Sequence, residues 1–120
     1  MKTILVVDDD EMNLSLARFI LQKENYQVKT AYSGMECLEI LKEQWIDLVL
    51  LDVEMPIMNG IKTLEIIREK QEYAGLPVMF LTADATEDTV IAAGKLNATG
   101  YVKKPYEPKV LLERVRKILQ

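Results

Sequence analysis

Apolar positions along this chain fall into two alternating patterns. Ile4–Val7, Leu48–Leu51 and Val78–Leu81 are unbroken apolar blocks. They are short enough for strands and have no polar side to turn to water. Each predicts a strand buried on both faces, as in a parallel sheet. Gln27–Ala31 and Tyr101–Lys103 are weaker strand candidates whose polar interruptions suit sheet edges. Between the blocks the spacing becomes helical. Leu14, Ala17 and Leu21, with Leu16 and Ile20, predict the apolar face of a first helix. Met35, Leu38 and Leu41 predict a second, and Ile61, Leu64 and Ile67 a third, with Ile66 off its main face. Val90, Ala93 and Leu96 predict a fourth, and Leu111, Val115 and Ile118, with Leu112 and Leu119, a last. Ser33 followed by Glu36 reads as a capping box, Thr86 as an N-cap, and Pro108 as a first helical position. Strand and helix alternate through five pairs. That order predicts a doubly wound α/β fold, a five-stranded parallel sheet with five helices on its two faces and right-handed crossovers.

The chain has 120 residues, a length that suits one domain. No repeat, linker or low-complexity tract divides it, so residues 1–120 are expected to form a single domain with no output domain in this chain. A formal charge of −4 without any Lys/Arg run lacks the footprint of a nucleic-acid binder or a polybasic membrane anchor. The expectation is no direct nucleic-acid or membrane contact. The apolar start, Ile4–Val7, is too short for a signal-peptide core or a membrane span, which makes the cytoplasm the expected compartment. Cys37 is the single cysteine, so no internal disulfide can form. The chain has no histidine, which removes His-based triads, His-ligated metals and His acid–base chemistry.

Sites in open parallel sheets form beyond the carboxyl ends of the strands. The residues just past each apolar block are therefore informative. Asp8, Asp9 and Asp10 come after the first strand, Asp52 after the third, Thr82 after the fourth, and Lys104-Pro105 after the fifth. If the first and third strands are neighbours, Asp8, Asp9 and Asp52 converge. Clustered carboxylates either raise a pKa or admit a cation. A hard divalent ion with oxygen ligands is the natural guest, and Mg²⁺ tolerates a site with few carboxylates and several waters. Carboxylates, Mg²⁺, an ammonium and a hydroxyl together can grip phosphoryl oxygens, and a carboxylate can itself be the nucleophile that forms an aspartyl phosphate. Asp52, alone at its strand end, is the central candidate. Asp10 and Glu11 read as first-turn helix acids without a metal role.

The segments Ile4-Leu5-Val6-Val7-Asp8-Asp9-Asp10, Leu50-Leu51-Asp52-Val53-Glu54-Met55-Pro56 with Asn59-Gly60, Leu81-Thr82-Ala83 and Gly100-Tyr101-Val102-Lys103-Lys104-Pro105 span nearly the whole chain. Jointly they resemble the response-regulator receiver domains of two-component signalling, of the stand-alone chemotaxis-receiver kind. The resemblance implies the flavodoxin-like strand order 2-1-3-4-5. It implies phosphorylation of Asp52 by a phosphohistidine donor, either a sensor histidine kinase or a histidine phosphotransfer protein. It implies Mg²⁺, with Mn²⁺ as an alternative, ligated by Asp9, Asp52 and the backbone carbonyl of Glu54, with Asp8 acting through a bound water. Lys104 would pair with the phosphoryl oxygens and precede a cis bond to Pro105, while Lys103 points to the other face. Thr82 would donate to the phosphoryl group, and Tyr101 would then turn inward. The fourth helix, fifth strand and fifth helix, about residues 87–120, would report the change to a downstream protein or a second copy. Glu54 and Asp84 would flank the phosphoryl entrance and set its lifetime, beside a small Ala83 that suits access.

Two other readings compete. One is a Mg²⁺-dependent small-molecule phosphatase or phosphotransferase of doubly wound fold, but the chain has no segment for a substrate cap and no G-x-x-x-x-G-K-[ST] loop. The other is a phosphorylation-independent interaction module, which the intact Asp8, Asp9, Asp52, Thr82 and Lys104 argue against. The remaining conspicuous residues read as structural. Gly60 answers a turn's backbone need, Cys37 is a buried or half-buried inert thiol, and Met55 and Met58 pack the turn around Pro56. Trp45 is expected to pack between the second helix and the sheet. Tyr106 stands where the family often has Phe.

Overall fold

In the computed structural model, which describes residues 1–83 and 86–120, the predicted alternation forms as β1 (Thr3–Val7), α1 (Glu11–Gln22), β2 (Gln27–Ala31), α2 (Gly34–Glu43), β3 (Leu48–Leu51), α3 (Gly60–Glu69), β4 (Val78–Thr82), α4 (Glu87–Lys95), β5 (Gly100–Lys103) and α5 (Pro108–Leu119). A short 3-10 turn, Gln71–Tyr73, lies between α3 and β4. All strand pairs are parallel, and the sheet order is β2-β1-β3-β4-β5.

The period-two alternation of side chains divides the core into two layers. Leu5 and Val7 of β1, Val49 and Leu51 of β3, and Val78 and Phe80 of β4 pack toward Cys37 and Leu41 of α2, Leu64 and Ile67 of α3, and Ala93 of α4. Their neighbours Ile4, Val6, Leu48, Leu50, Met79 and Leu81 pack toward Leu14, Ala17 and Leu21 of α1 and Leu111 and Val115 of α5. The blocks are unbroken because both layers need apolar side chains.

Helix starts are set by their caps. Asp10, Ser33, Asn59 and Thr86 accept from the backbone N–H of Met12, Glu36, Lys62 and Thr89, and Pro108 occupies the first turn of α5. At Ser33 the box is offset, because the Glu36 carboxylate accepts from the N–H of Tyr32, one residue before the cap.

Four packing expectations need correction. Leu16 is 51% exposed and lies outside the α1 core face. The buried positions are Leu14, Ala17, Ile20 and Leu21, and Leu16 falls just beyond the edge of that face. Met35 is exposed because Cys37 and Leu41 carry the buried side-chain face of α2, while Gly34 packs against Thr63 of α3. Val90 is exposed, and in α4 Ala93 alone is buried, so that helix sits on the sheet through one small residue. Trp45 is 80% exposed. It lies past the end of α2, and its indole Nε1 donates to Asp47 Oδ1 at 2.9 Å, so the ring is held along the surface.

Among the described residues, no helix is long and apolar enough to cross a membrane.

Candidate functional site

Register brings the strand ends together. Val7 is level with Leu51 and with Ala31, and the Asp52 N–H donates to the Val7 carbonyl at 3.0 Å. Asp8 and Asp52 therefore leave adjacent strands at the same height. Each of Asp8, Asp9 and Asp52 presents a carboxylate oxygen, and these oxygens lie within 4.8 Å of one another. On the far side of the sheet Thr82 is level with Lys103, and the Lys104 N–H donates to the Thr82 carbonyl at 2.9 Å. That hydrogen bond aims Lys104 back across the sheet edge. Its Nζ sits 2.6 Å from Asp8 Oδ2 and 3.5 Å from Asp52 Oδ2. Lys103, the preceding residue, is exposed on its strand.

Asp8 and Asp52 are buried, while Asp9 is exposed and makes no ion pair among the described residues. Both Asp8 oxygens are engaged, Oδ2 by Lys104 and Oδ1 by the N–H of Asp10 at 2.9 Å. Burial pushes the Asp52 carboxyl up to about 6; the Lys104 charge pulls it back in part, and Asp8 adds to the rise. Three carboxylates against one ammonium leave excess negative charge at a partly dry strand edge. Hard oxygen donors at this spacing fit Mg²⁺.

The other predicted site residues take distinct places. Thr82 is buried at the end of β4, and Ala83 beside it is exposed. Glu54 is exposed, and its N–H donates to Asp52 Oδ1 at 3.3 Å. Tyr101 is 40% exposed on β5. The Lys104–Pro105 peptide bond is cis. Asp84 lies outside the described residues. Met55 is buried and Met58 half-buried, as expected of turn packing. Burial pushes the Cys37 thiol up to about 12, so it stays protonated and inert at neutral pH.

Two features were missed in the sequence. Gly60 does more than relieve a turn: its N–H donates to the Val53 carbonyl at 2.8 Å, and a β-carbon there would lie 2.2 Å from the Asp52 carbonyl oxygen. The glycine lets the start of α3 press against the backbone that carries Asp52. Tyr106 is half-buried against the α1–α5 layer, and burial, with the charge of Asp8 added, raises its hydroxyl pKa.

The chain matches the family described as response regulator receiver domain over residues 4–116. It is 39% identical over 120 residues to the transcriptional regulatory protein CpxR of Escherichia coli (strain K12), covering 100% of this chain and 50% of that protein. It is 35% identical to response regulator SaeR of Staphylococcus aureus (strain USA300), covering 99% of this chain and 51% of that one. The chain thus spans about half the length of the curated relatives it matches. Among solved structures, Vibrio cholerae chemotaxis protein CheY4 superposes with a TM-score of 0.94 at 29% identity, covering 99% of each chain. Response regulator protein TrrA from Thermotoga maritima, solved in complex with Mg²⁺-BeF, superposes with a TM-score of 0.89 at 35% identity, covering 99% of this chain and 100% of that one.

Proposed function

Because the chain belongs to the response regulator receiver domains, phosphoacceptors of two-component signalling, we propose that Asp52 is the residue that takes the phosphoryl group. The observation that carries this reading is the Asp52 carboxylate, buried at a strand end, with Asp8 and Asp9 beside it and the Lys104 ammonium 3.5 Å away. An Asp52 oxygen attacks the phosphorus of a phosphohistidine on a sensor kinase or phosphotransfer protein. The new O–P bond forms as the P–N bond breaks, and the donor imidazole leaves and picks up a proton. Hydrolysis reverses the loading: water attacks the same phosphorus, the O–P bond breaks, and the Asp52 carboxylate returns.

Asp9, Asp52 and the Glu54 backbone carbonyl would hold Mg²⁺ directly. Asp8, whose oxygens are already engaged, would reach it through water. Mg²⁺ bound there, or Mn²⁺ in its place, supplies charge neutralisation for the phosphoryl oxygens. Lys104 pairs with one of those oxygens once the phosphoryl group arrives, and Thr82 donates its hydroxyl to another. Tyr101 then turns in from its exposed position. The surface of α4, β5 and α5 carries that change to a downstream protein or a second copy, as a shift between two arrangements. A cytoplasmic setting and no direct contact with nucleic acid complete the reading.

Incubation with Mg²⁺ and acetyl phosphate and then mass measurement tests it. One acid-stable, base-labile phosphoryl adduct per chain is expected, and none in Asp52→Asn or with EDTA. The decay time of the adduct should change in Glu54→Ala, since that acid stands exposed beside Asp52 and can act on the attacking water. An adduct that persists in Asp52→Asn, or turnover of many equivalents of a small phosphoester, would refute the phosphoacceptor role of Asp52.

A further inference from the structure

The opposite edge of the sheet, where β3 and β4 begin, holds a cleft of about 630 Å³. Glu43, Trp45, Asp47, Glu72, Tyr73 and Leu76 border it. The carboxylate cluster plays no part in it. We propose that this cleft docks an arginine-bearing segment of a partner protein.

Three observations point to that occupant. The indole of Trp45 is 80% exposed, and its Nε1 donates to Asp47 Oδ1 at 2.9 Å. Asp47 is in turn anchored, its Oδ2 accepting from the Thr3 N–H at 2.8 Å. That hydrogen bond orients a large aromatic face in water, and aromatic anchors of this kind dominate interfaces. Second, the border carries three carboxylates and the ammonium of Lys42, with the charges of Lys2 and the amino terminus acting on Asp47. Asp47 spends its oxygens on Trp45 and Thr3, but Glu43 and Glu72 are exposed and make no ion pair among the described residues. Third, the volume lies in the range of pockets that enclose a ligand group, and Tyr73 and Leu76 give it an apolar floor. The Tyr73 hydroxyl donates to the Leu41 carbonyl, which ties that floor to α2.

Arginine answers all three. Its planar guanidinium stacks on an indole face and still directs N–H donors at carboxylates, and its stem covers apolar surface. A lysine ammonium keeps the charge but loses the stacking plane. An acidic segment would meet like charge.

Trp45 is the single tryptophan, so the protein's intrinsic emission reads this cleft directly. The capped peptides GSRLRSG, GSKLKSG and GSELESG serve as probes. The arginine peptide should shift the emission along a saturating curve, the lysine peptide should bind several-fold more weakly, and the glutamate peptide should leave the signal flat. The double change Glu43→Gln with Glu72→Gln, both on the surface, should weaken the arginine peptide roughly tenfold. Trp45→Ala, with binding read by calorimetry, should abolish binding with the unfolding temperature unchanged. The proposal is overturned by flat emission with the arginine peptide, by equal affinity for the lysine peptide, or by unaltered affinity in the glutamine double variant or in Trp45→Ala.

Discussion

Asp52→Asn is expected to stabilise the protein by about 1–2 kcal/mol at pH 7.5 in EDTA, while abolishing phosphoacceptance. Burial is the main cause: it holds the Asp52 carboxyl at about 6, against 3.8 for an ordinary aspartate. The folded state therefore binds this proton more tightly than the unfolded chain does. The stabilising contribution is present in full below 3.8 and is lost as pH rises through about 6. The gap converts to a ceiling of about 3 kcal/mol, and screening at the exposed edge of the side chain lowers it. Loss of the Lys104 attraction in the variant offsets a further part. Asp47 runs the other way. Burial works to raise its carboxyl, but the Thr3 N–H, the Trp45 indole, Lys2 and the amino terminus prevail and lower it. The readout is therefore the difference between wild type and variant. Urea unfolding at pH 5 and pH 7.5 should give a gap in favour of Asp52→Asn that widens with pH. A variant less stable than wild type at pH 7.5 would show that Lys104 already compensates the buried charge. Mg²⁺ should close the gap by stabilising the wild type alone, because the cation binds the folded state through the carboxylate that the variant lacks.

The sheet was legible in the sequence because burial on both faces leaves no polar residue within β3 or β4 until Thr82. The strand order was legible only through the resemblance. Which helix side chains reach the core was less so. A helix face is about 100° wide, and Leu16 and Met35 sit just outside it while carrying the same chemistry as the residues inside. Cys37, read as a buried or half-buried inert thiol, is buried in the α2 layer of the core. Trp45 misled for another reason: it lies past the end of α2, off the apolar face of that helix, and its indole donates to Asp47 two residues away.

At the site, the strand-end carboxylates were legible because a parallel sheet sends every strand's carboxyl end to one edge. The pairing of Asp8 with Lys104 spans 96 positions, and no local pattern announces it. Charge balance alone says that a buried carboxylate needs a partner, without saying which lysine supplies it.

Gly60→Ala is expected to destabilise the protein by about 3 kcal/mol and to disable Asp52 without touching its side chain. Asn59-Gly60 reads locally as a turn that any small residue could complete, and the backbone there is not in the left-handed region that demands glycine. The constraint is a close approach instead. An added β-carbon would meet the Asp52 carbonyl oxygen at 2.2 Å, the Val53 Cα at 2.8 Å and the Asp52 carbonyl carbon at 2.9 Å. All three are backbone atoms, so no side chain can swing aside. Either α3 retreats, breaking the Gly60 N–H to Val53 carbonyl bond of 2.8 Å, or the Asp52–Val53 backbone shifts and takes the carboxylate with it. A displacement near 1 Å at a reacting group costs on the order of a hundredfold in rate. Gly94→Ala makes the same chemical change inside α4, where nothing lies within 4 Å, and should stabilise by up to about 1 kcal/mol through helix propensity. Urea unfolding of both variants, with adduct formation from acetyl phosphate measured where Gly60→Ala is still folded, separates the two effects. Slow loading in a folded Gly60→Ala would locate the damage in the Asp52 backbone. A Gly60→Ala protein that unfolds near the wild-type midpoint would show that α3 gives way easily and that this glycine does not set the position of Asp52.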